Sequence, residues 1–420
     1  MVKATTILAE AAKTPFRVIG GIVSRPLPKR GNPPLFLFGF AAWKTFMYDW
    51  FPDREIVFAP TGLWPIEFDI NWKWRILSDR RAEVMAWQYK GLPQLKNFCA
   101  RNNIPFHYVE DGFIRSVSLG ALETPPISLA FDRQDMYFNA NGPTDLETIL
   151  STHDFDGDGD LQLRAKALIE KLLSTGLSKY NSGADVAVEE LYGPKAGKRI
   201  LVIGQVERDA SIAYGSREKY SNNDLVRLAY KENPGAQIIY KPHPEVLQGT
   251  AEPMSDPNLV RDICTILEEN ISLSESFRTI DHVYTITSLS GFEALLRGSK
   301  SRRWDVPFYS GWGLTDDRQP TNRRKRKLTI EQLFAGAYVL YPKYFDPVAK
   351  EYIDIEQAIE LLVEMRAAYT VLGKDLSNVH LMDALTKAVG DDVSLQTPLA
   401  NSVRGSRVRR LPNEPSVRAP

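Results

Sequence analysis

The sequence predicts an α/β protein in which two parallel sheets follow one another along the chain. In both halves, short apolar runs alternate with segments long enough to form a helix, which is typical of βα units. At 420 residues the chain is long enough for two domains, each with its own core. Its 43% hydrophobic and 25% charged residues are ordinary for a soluble globular protein.

The overall composition excludes several classes of protein. Lys plus Arg and Asp plus Glu both number 52, so no global field attracts nucleic acid. Cys99 and Cys264 are too few for a disulfide framework, which fits a reducing compartment. No run approaches ~18 apolar residues and the first residues lack a secretion signal, so we expect a cytoplasmic protein without a transmembrane helix.

The first half of the chain contains the strands of the first predicted sheet. One connecting helix lies at residues 92–100, with Leu95 and Phe98 directed toward the core. Strands are predicted at residues 35–40, 56–59, 84–87 and 106–110, and a further pair at 127–132 and 136–139 closes this domain.

The fourth of these strands ends in two carboxylates, Glu110 and Asp111, followed by Gly112. The carboxyl end of a parallel strand is where α/β sheets bind ligands, and a glycine permits the tight turn that follows. Arg115 is close in sequence and would neutralise these charges. As an isolated observation, the favoured interpretation is that Asp111 caps the next turn and pairs with Arg115.

An acidic segment at residues 154–160 resembles a calcium-binding loop. Gly159 occupies the sixth position of such a loop, but Ala165 stands at the twelfth, where a bidentate glutamate is required. We therefore predict no metal site here. The aspartates are expected to stabilise the N-terminus of a helix at residues 161–173.

Three strands of the second predicted sheet each end in a polar cluster. The strands lie at residues 199–206, 237–241 and 283–287. The clusters contain, in chain order, Asp209, then His243 between two prolines, then Ser288 and Ser290. Because the carboxyl ends of neighbouring parallel strands share one crevice, this convergence favours a phosphate-containing ligand.

The serine cluster also has the form of a phosphate site by itself. A strand, a turn with hydroxyl groups and a helix start direct N–H groups and the helix dipole toward an anion, and Gly291 permits close approach. An alternative needs no ligand, because Ser290 and Glu293 have the spacing of a capping box. The capping box is favoured on this pattern alone, whereas the convergence of three strand ends favours the ligand.

The chain after Gly298 is less regular. Phe308, Tyr309 and Trp312 form an aromatic loop suited to covering a flat ring, with packing under the final helices as the alternative. The basic run at residues 323–327 is most simply a solvated face, and it is also suited to contact with an anionic membrane surface.

Five segments, taken in order, resemble a known family. They are EDGFIRSVSLG at 110–120, GQVERDASI at 204–212, YKPHPEV at 240–246, TSLSGFEALLRG at 287–298 and PFYSGWGLTDD at 307–317. Over roughly residues 35–362 the chain is similar to the KpsC-type capsule polysaccharide β-Kdo transferases and to O-antigen β-Kdo transferase modules. The resemblance implies a GT-B architecture of two Rossmann-like domains facing across a cleft. It also implies CMP-Kdo as the donor, held mainly by the second domain, and neither a metal nor another cofactor.

The resemblance also implies roles for individual residues. Asp209 would be the nucleophile, because retention of the donor's β configuration calls for two displacements through a covalent glycosyl adduct. Glu110, arriving from the opposite domain, would act as base or acid on the acceptor hydroxyl. His243 would contact the CMP phosphate, and Arg208, Arg115 or Lys241 would pair with the Kdo carboxylate.

The remaining expected contacts divide between the two domains. Glu293 would reach the ribose or stay a helix cap. The donor-binding set is Gln205, Arg208, Lys241, His243, Pro244, Ser288, Ser290, Gly291 and Glu293. The acceptor or sugar side is expected to contain Asp111, Arg115, Tyr309 and Trp312.

The predicted division of the chain follows from these features. It comprises an extension at 1–34, an acceptor-side domain at 35–195, a CMP-sugar-binding domain at 196–320, a helical segment at 321–400 with helices at 330–338 and 355–369, and a disordered tail at 401–420. KpsC proteins have two transferase modules, whereas this chain has room for one. Residues 298–304 are also more polar than the apolar strand expected there, which leaves the contacts of the donor's base open.

The resemblance places the protein on the inner face of the inner membrane, peripherally bound and acting on a lipid-linked saccharide, without nucleic acid and with other capsule assembly proteins as further partners. Two alternatives stay open at this point. One is a transferase for another CMP-activated nonulosonate, such as sialic acid. The other is a non-catalytic partner in capsule export, which would need no carboxylates in a cleft.

Overall fold

A computed structural model describes residues 31–372, apart from 182, 184–185, 217–219, 248, 250, 253, 304–305, 318 and 320. The predicted extension at 1–34 lies outside the described residues up to position 30. The predicted tail at 401–420 and the end of the helical segment after residue 372 also lie outside them.

The first domain is built on a seven-stranded sheet with the order β13-β12-β5-β4-β3-β1-β2. Strands β1 to β4 are parallel, and β5, β12 and β13 continue the sheet with antiparallel pairing. Its strands are β1 Pro34–Phe38, β2 Glu55–Phe58, β3 Glu83–Trp87, β4 Phe106–Asp111, β5 Ser128–Asp132, β12 Pro342–Asp346 and β13 Glu351–Ile353.

The second domain is built on a six-stranded sheet with the order β11-β10-β9-β6-β7-β8, in which every pair is parallel. Its strands are β6 Arg199–Ile203, β7 Gln237–Lys241, β8 Thr265–Ile266, β9 His282–Thr285, β10 Lys300–Arg303 and β11 Asp316–Asp317. Because β9, β6 and β7 are direct neighbours, the three polar strand ends predicted from the sequence lie at one edge of one sheet.

Helices cover both sheets and join the two domains. They are α1 Met47–Trp50, α2 Pro65–Glu67, α3 Lys73–Leu77, α4 Leu95–Arg101, α5 Asp145–Thr152, α6 Gly159–Thr175, α7 Val188–Tyr192, α8 Ala210–Gly215, α9 Asn222–Glu232, α10 Pro244–Leu247, α11 Leu273–Ser276, α12 Ser290–Leu296, α13 Ile330–Phe334 and α14 Ile355–Leu372. Phe68–Trp72 and Ala335–Leu340 are π-helical, and Gly120–Leu122 and Pro257–Val260 are 3₁₀-helical.

The largest core cluster lies where the two domains meet. Phe113 from the first domain stacks on Phe308 from the second, with ring centroids 4.7 Å apart, and Tyr338 packs against Phe113 at 5.3 Å. Helix α14 returns to α6 and makes ion pairs with it, including Arg164 with Glu356 at 2.6 Å. The chain therefore crosses back to the first domain after completing the second.

Two predicted elements are wrong. The segment at 321–400 was expected to be helical, but Pro342 opens a hairpin, β12 and β13, that extends the first sheet. Proline interrupts a helix and is tolerated as the first residue of a strand, which explains the change. Residues 136–139 form a turn instead of a strand, because the carboxylate of Asp132 accepts the backbone N–H groups of Gln134 and Asp135 and bends the chain.

The acidic segment before α6 behaves as a helix start. The Asp158 carboxylate accepts the backbone N–H of Leu161 at 3.1 Å and caps the helix, as the sequence predicts.

Candidate active site

A cleft of about 270 Å³ opens between the carboxyl edges of the two sheets. This volume is close to the lower end of the range of small-molecule sites, about 300–1,000 Å³. The first domain contributes Gln88, Glu110, Phe113, Tyr137 and Phe138. The second contributes Gln205, Asp209, Ser211, Lys241, Pro242, His243, Pro244, Glu245, Thr287, Ser288, Ser290 and Glu293, and the connecting segment contributes Ser178, Lys179 and Tyr180.

Gln205 fixes the ends of β6 and β9 relative to each other. Its side-chain amide donates to the hydroxyl of Thr287 at 3.0 Å, and its carbonyl oxygen accepts the backbone N–H of Thr287 at 2.7 Å. The hydroxyl of Ser211 makes a further hydrogen bond to the Thr287 hydroxyl at 3.0 Å. Gln205, which was predicted to bind the donor, lines the cleft, and its amide is engaged in positioning the strand ends.

Asp209 lies at the start of α8, on the cleft surface and exposed to solvent. Its Oδ1 accepts the backbone N–H of Ser211 at 2.7 Å, so the carboxylate caps the helix. The capping role and the cleft position therefore coexist in this residue. The cap also holds the side chain in a fixed orientation at the rim.

His243 lies in the cleft with a defined tautomer. Its Nδ1 accepts the backbone N–H of Glu245 at 3.2 Å, so the ring proton is on Nε2 when the imidazole is neutral. Burial lowers the pKa of His243 to about 4, against the opposing effect of Asp209. At neutral pH the ring is therefore an uncharged donor through Nε2.

The serine cluster forms a turn directly before α12. The hydroxyl of Ser288 accepts the backbone N–H of Ser290 at 3.2 Å and lies 3.1 Å from the Ser290 hydroxyl. The helix begins at Ser290, with Leu289 before it and without a side-chain cap, so the alternative of a capping box with Glu293 is wrong. Both hydroxyl groups line the cleft.

Glu293 is a buried carboxyl at the floor of the cleft. Burial raises its pKa to about 7, although Arg297 and the backbone N–H of Lys179 act in the opposite direction. The nearest Arg297 nitrogen is 3.8 Å from Glu293 Oε2. The pKa of Glu293 therefore lies close to neutral pH, and its carboxyl group does not cap the helix.

Glu110 reaches the cleft from the end of β4, on the opposite wall. Burial raises its pKa to about 7, the charge of Asp111 adds to this effect, and a hydrogen bond from Gln88 opposes it. Its Oε2 is buried and has no hydrogen-bond partner among the described residues. A carboxyl with these properties is suited to proton transfer at neutral pH.

Lys179 brings a positive charge between the two walls, and sequence reasoning missed it. Burial acts to lower its pKa, but its interactions with Tyr137, Tyr180, Glu110 and Asp111 raise it above the ordinary value. Its ammonium makes no ion pair within 4.0 Å among the described residues. Lys179 is therefore a charged, unpaired cation in the cleft.

Comparisons with known proteins agree on one family. The model of the capsule polysaccharide biosynthesis proteins matches residues 90–344. The lipopolysaccharide-processing protein LpsZ of Rhizobium meliloti is 41% identical over 84% of this chain and 80% of its own length. This chain belongs to the capsule polysaccharide biosynthesis family.

Further similar proteins show the extent of the match. The capsule polysaccharide modification protein LipA of Neisseria meningitidis is 40% identical over 68% of this chain, and this chain spans 40% of LipA. The structure of Thermosulfurimonas dismutans KpsC, β-Kdo 2,4 transferase, superposes with a TM-score of 0.66 at 30% identity, covering 80% of this chain and 99% of that chain. The β-Kdo 2,7 transferase structure of the same protein gives 0.61 at 29% identity, covering 79% and 99%. The predicted resemblance to KpsC-type β-Kdo transferases and the GT-B-like fold are confirmed.

Asp111 and Arg115, predicted on the acceptor side, lie behind the cleft wall of this capsule family member. Arg115 is fully buried and donates from Nε to Asp111 Oδ2 at 2.7 Å. Despite its burial, the pKa of Asp111 is lowered, mainly by the charge of Arg115. The pair is structural, as the favoured interpretation of this motif alone had it, and Arg115 is not available to a substrate carboxylate.

Two further cations predicted to bind the donor are placed differently from expectation. Lys241 lines the cleft, but its ammonium donates to the carbonyl of Ile271 at 2.7 Å, and burial lowers its pKa to about 8. Arg208 is exposed to solvent and is not part of the cleft wall. Lys179 is therefore better placed than Lys241 or Arg208 to contact an anionic ligand in the cleft.

Of the three residues of the aromatic loop, Phe308 lines the cleft, whereas Tyr309 and Trp312 do not. Tyr309 and Trp312 are fully buried, the Tyr309 hydroxyl donates to the carbonyl of Ser288, and Trp312 donates to the carbonyl of Phe308 at 2.8 Å. Gly291 lies beneath the same tyrosine, where a Cβ atom would be 2.4 Å from its hydroxyl oxygen. Tyr309 therefore supports the serine turn from behind, and Gly291 makes room for Tyr309 instead of for a phosphate.

The basic run at 323–327 is largely used inside the molecule. Arg323 and Arg324 both pair with Glu147, at 2.7 and 2.9 Å, and Arg326 donates to the carbonyl of His153 at 2.6 Å. Arg324 is buried. The prediction of a membrane-binding cluster at this position is therefore wrong for three of its five side chains, which connect the domains instead.

Neither a metal-binding cluster nor a membrane-spanning helix occurs among the described residues. No group of three or more His, Cys, Asp or Glu side chains there is arranged to hold a metal ion. In the same part of the chain, no helix combines the length and the apolar character needed to cross a bilayer.

Proposed function

We propose that this protein is a retaining glycosyltransferase that moves β-Kdo from CMP-Kdo to a hydroxyl of a lipid-linked acceptor in capsule or related surface polysaccharide biosynthesis. The observation that carries the proposal is the pair of carboxyl groups, Asp209 and Glu110, which reach one cleft from opposite domains. The family membership and the KpsC neighbours support the same reaction.

In the proposed reaction Asp209 attacks the anomeric carbon of the donor. The bond from that carbon to the CMP phosphate oxygen breaks, CMP leaves with the electron pair, and a glycosyl ester forms on Asp209. Glu110 then removes the proton from the acceptor hydroxyl, whose oxygen displaces Asp209 from the opposite face. Two inversions give net retention.

The leaving phosphate is assigned to the strand ends of the second sheet. His243 donates through Nε2 because its Nδ1 is occupied by the backbone of Glu245. The hydroxyl groups of Ser288 and Ser290 line the same wall. Uncharged donors of this kind stabilise the negative charge that develops on CMP as the bond breaks, and no step of the proposal needs a metal ion.

We assign the Kdo carboxylate to Lys179. Arg115 is committed to Asp111, and Lys241 is committed to a backbone carbonyl. Lys179 has a raised pKa and lies near the carboxyl groups of Glu110 and Asp111, so its charge is present at neutral pH. An ammonium without an ion-pair partner in a partly desolvated site is suited to bind an anionic substrate group.

Mass spectrometry of the intact protein after incubation with CMP-Kdo, without acceptor, tests the function. We expect the mass to rise by one Kdo residue and the Asp209→Asn variant to show no adduct. Parallel incubation with CMP-sialic acid separates the alternative transferase, since an adduct from that donor alone would contradict the Kdo assignment. Neither CMP release nor an adduct from either donor would favour the non-catalytic export partner.

A further inference from the structure

The helix that begins directly after Asp209 ends in a contact with the opposite domain. Helix α8 has six residues, so about 7.5 Å of helix axis separate Asp209 from Tyr214. The Tyr214 ring packs on the ring of Tyr89 from the first domain, with centroids 4.2 Å apart. We call this ring contact the tyrosine pair. The Tyr214 carbonyl also accepts the backbone N–H of Ala140 at 3.0 Å and the side-chain amide of Asn141 at 3.3 Å, so this end of α8 is attached to the first domain.

The same helix is also attached to the second domain. The hydroxyl of Ser211 is 3.0 Å from the hydroxyl of Thr287, just after β9. Gly215, the last residue of α8, lies between the two domains. A Cβ atom there would be 3.0 Å from the carbonyl oxygen of Phe138 and 3.1 Å from Cγ2 of Thr287. The absence of a side chain at Gly215 therefore lets α8 pack closely against both domains.

Tyr89 is held firmly on the side of the first domain. Its hydroxyl donates to the carboxylate of Asp135 and accepts the side-chain amide of Asn139 at 3.0 Å. Asn139 also donates to Asp135 at 2.9 Å, so the three side chains form a closed set of hydrogen bonds. The Tyr89 ring makes an edge-to-face contact with Tyr108 at 5.4 Å. A ring held from several sides is suited to fix the position of Tyr214.

The residue before Tyr89 connects this arrangement to Glu110. Gln88 lines the cleft with Glu110 and makes a side-chain hydrogen bond to its carboxyl group. The backbone N–H of Gln88 donates to the carbonyl of Val109 at 3.0 Å. Gln88 has a φ of 48°, in the left-handed region that residues other than glycine seldom adopt, and such backbone is common at functional sites. Through this bend, consecutive residues contact Glu110 and Tyr214.

We propose that the tyrosine pair is a positioning contact for the second displacement. It holds the glycosyl ester on Asp209 at a fixed distance from Glu110, so that the acceptor hydroxyl fits between them. This inference rests on the proposed transfer reaction. The path between the two carboxyl groups consists of one hydrogen bond, one ring contact and short stretches of chain. A misplacement of about 1 Å in such a site lowers the rate by up to about 10²-fold.

Loss of the glycosyl adduct, with water as the acceptor, tests the proposal. The full chain is loaded with CMP-Kdo, free donor is removed, and the intact mass is followed over time. We expect Tyr214→Ala to form the adduct within about threefold of the parental rate and to lose it about 10- to 100-fold more slowly. Tyr214→Phe keeps the ring and should lose the adduct at the parental rate. The matched control is Tyr230→Ala, which removes another half-exposed tyrosine of the second domain and should also behave as the parent.

A double-mutant cycle separates positioning from a general effect on the fold. If the tyrosine pair acts by placing the ester against Glu110, it has little effect once the base is absent. In a Glu110→Gln background, Tyr214→Ala should therefore slow the loss of the adduct by less than about threefold. An equal factor in the two backgrounds would overturn the proposal.

Tyr89→Phe provides a second variant with a smaller change. It keeps both rings and releases the Tyr89 hydroxyl from Asp135, so the adduct should be lost about two- to tenfold more slowly. Failure of the proposed function gives a different result, because a parent that forms no adduct would overturn that function and this inference together. A parent that forms and loses the adduct, with unchanged loss in Tyr214→Ala and Tyr89→Phe, would overturn the positioning role alone.

Discussion

The two walls of the cleft are built by different means. On the second-domain wall, Asp209, His243 and the serine turn each lie within six residues of the end of a parallel strand, and each side chain is held by a backbone N–H within two residues. On the first-domain wall, Glu110 also ends a strand, but its neighbours in the cleft come from distant segments: Gln88, Tyr137 and Lys179. One wall is local in sequence and the other is assembled by tertiary structure.

Because of this difference, the two walls are suited to different steps of the proposed reaction. The second wall offers a carboxylate and uncharged donors, which suit attack on the sugar and departure of a phosphate. The first wall offers a carboxyl whose pKa burial raises to about 7, beside a cation, which suits proton transfer and binding of an anion. Variants on the two walls should therefore fail in different steps.

The largest effect is expected from Asp209→Asn on the second wall. Loss of the nucleophile should lower the rate of Kdo transfer by at least about 10⁴-fold. Asparagine still caps a helix, so α8 and the thermal midpoint should be retained. Initial rates of CMP release and the melting temperature measure the two effects. Turnover within tenfold of the parent would remove Asp209 as the nucleophile.

Glu110→Gln on the first wall should have the next largest effect, because it removes the base without removing the nucleophile. We expect transfer to fall by about 10²- to 10⁴-fold. Adduct formation from CMP-Kdo should persist, since the first displacement does not use Glu110. Intact mass measured over time separates the steps. If the adduct disappeared together with transfer, the assignment of the two walls to different steps would be wrong.

The same comparison shows what the sequence could predict. Asp209, His243 and Ser288 are found from the sequence because each follows a recognisable apolar strand, and parallel strands bring their carboxyl ends together. Lys179 has no such signal. It lies in an irregular segment between the domains, next to Tyr180, which forms an isolated bridge with Ser116 of the first domain.

The incorrect predictions have related causes. Arg115, Tyr309 and Trp312 are close in sequence to residues that line the cleft. The sequence alone does not show that their side chains are buried. Burial of an arginine requires a partner such as Asp111, and that pairing depends on tertiary packing. The paired strands β12 and β13 likewise depend on an edge left open by β5. Local sequence patterns therefore predict most helices and strands, whereas the contacts between distant residues are seen only in the structure.

Lys179→Met should have a smaller and more selective effect. We expect the KM for CMP-Kdo to rise by about 10- to 100-fold, because one charge-assisted contact to the carboxylate is lost. The inhibition constant of free CMP should change by less than about threefold, since CMP has no carboxylate. Lys179→Arg should restore part of the affinity for the donor. An equal loss of affinity for CMP and CMP-Kdo would show that Lys179 acts on the nucleotide side or on the fold.

The smallest effect is a pH dependence that assigns proton transfer to one wall. The pKa of Glu110 is raised to about 7 by burial, so its carboxylate form is lost as the pH falls below 7. We expect kcat/KM for the acceptor, which reports the step that uses Glu110, to fall up to about tenfold per pH unit between pH 6.5 and 5 and to level off above pH 7.5. His243, with a pKa lowered to about 4, stays neutral across this range and does not contribute.

Glu293 is the necessary control for that profile, because burial raises its pKa to about 7 as well. Glu293→Gln should keep the acidic limb if the limb belongs to Glu110, whereas Glu110→Gln should leave a low and flat profile. If the fall in kcat/KM at acidic pH persisted in Glu110→Gln and disappeared in Glu293→Gln, the titrating group would be Glu293 of the second domain. The two walls would then no longer divide the reaction, because the nucleophile and the proton acceptor would belong to the same sheet.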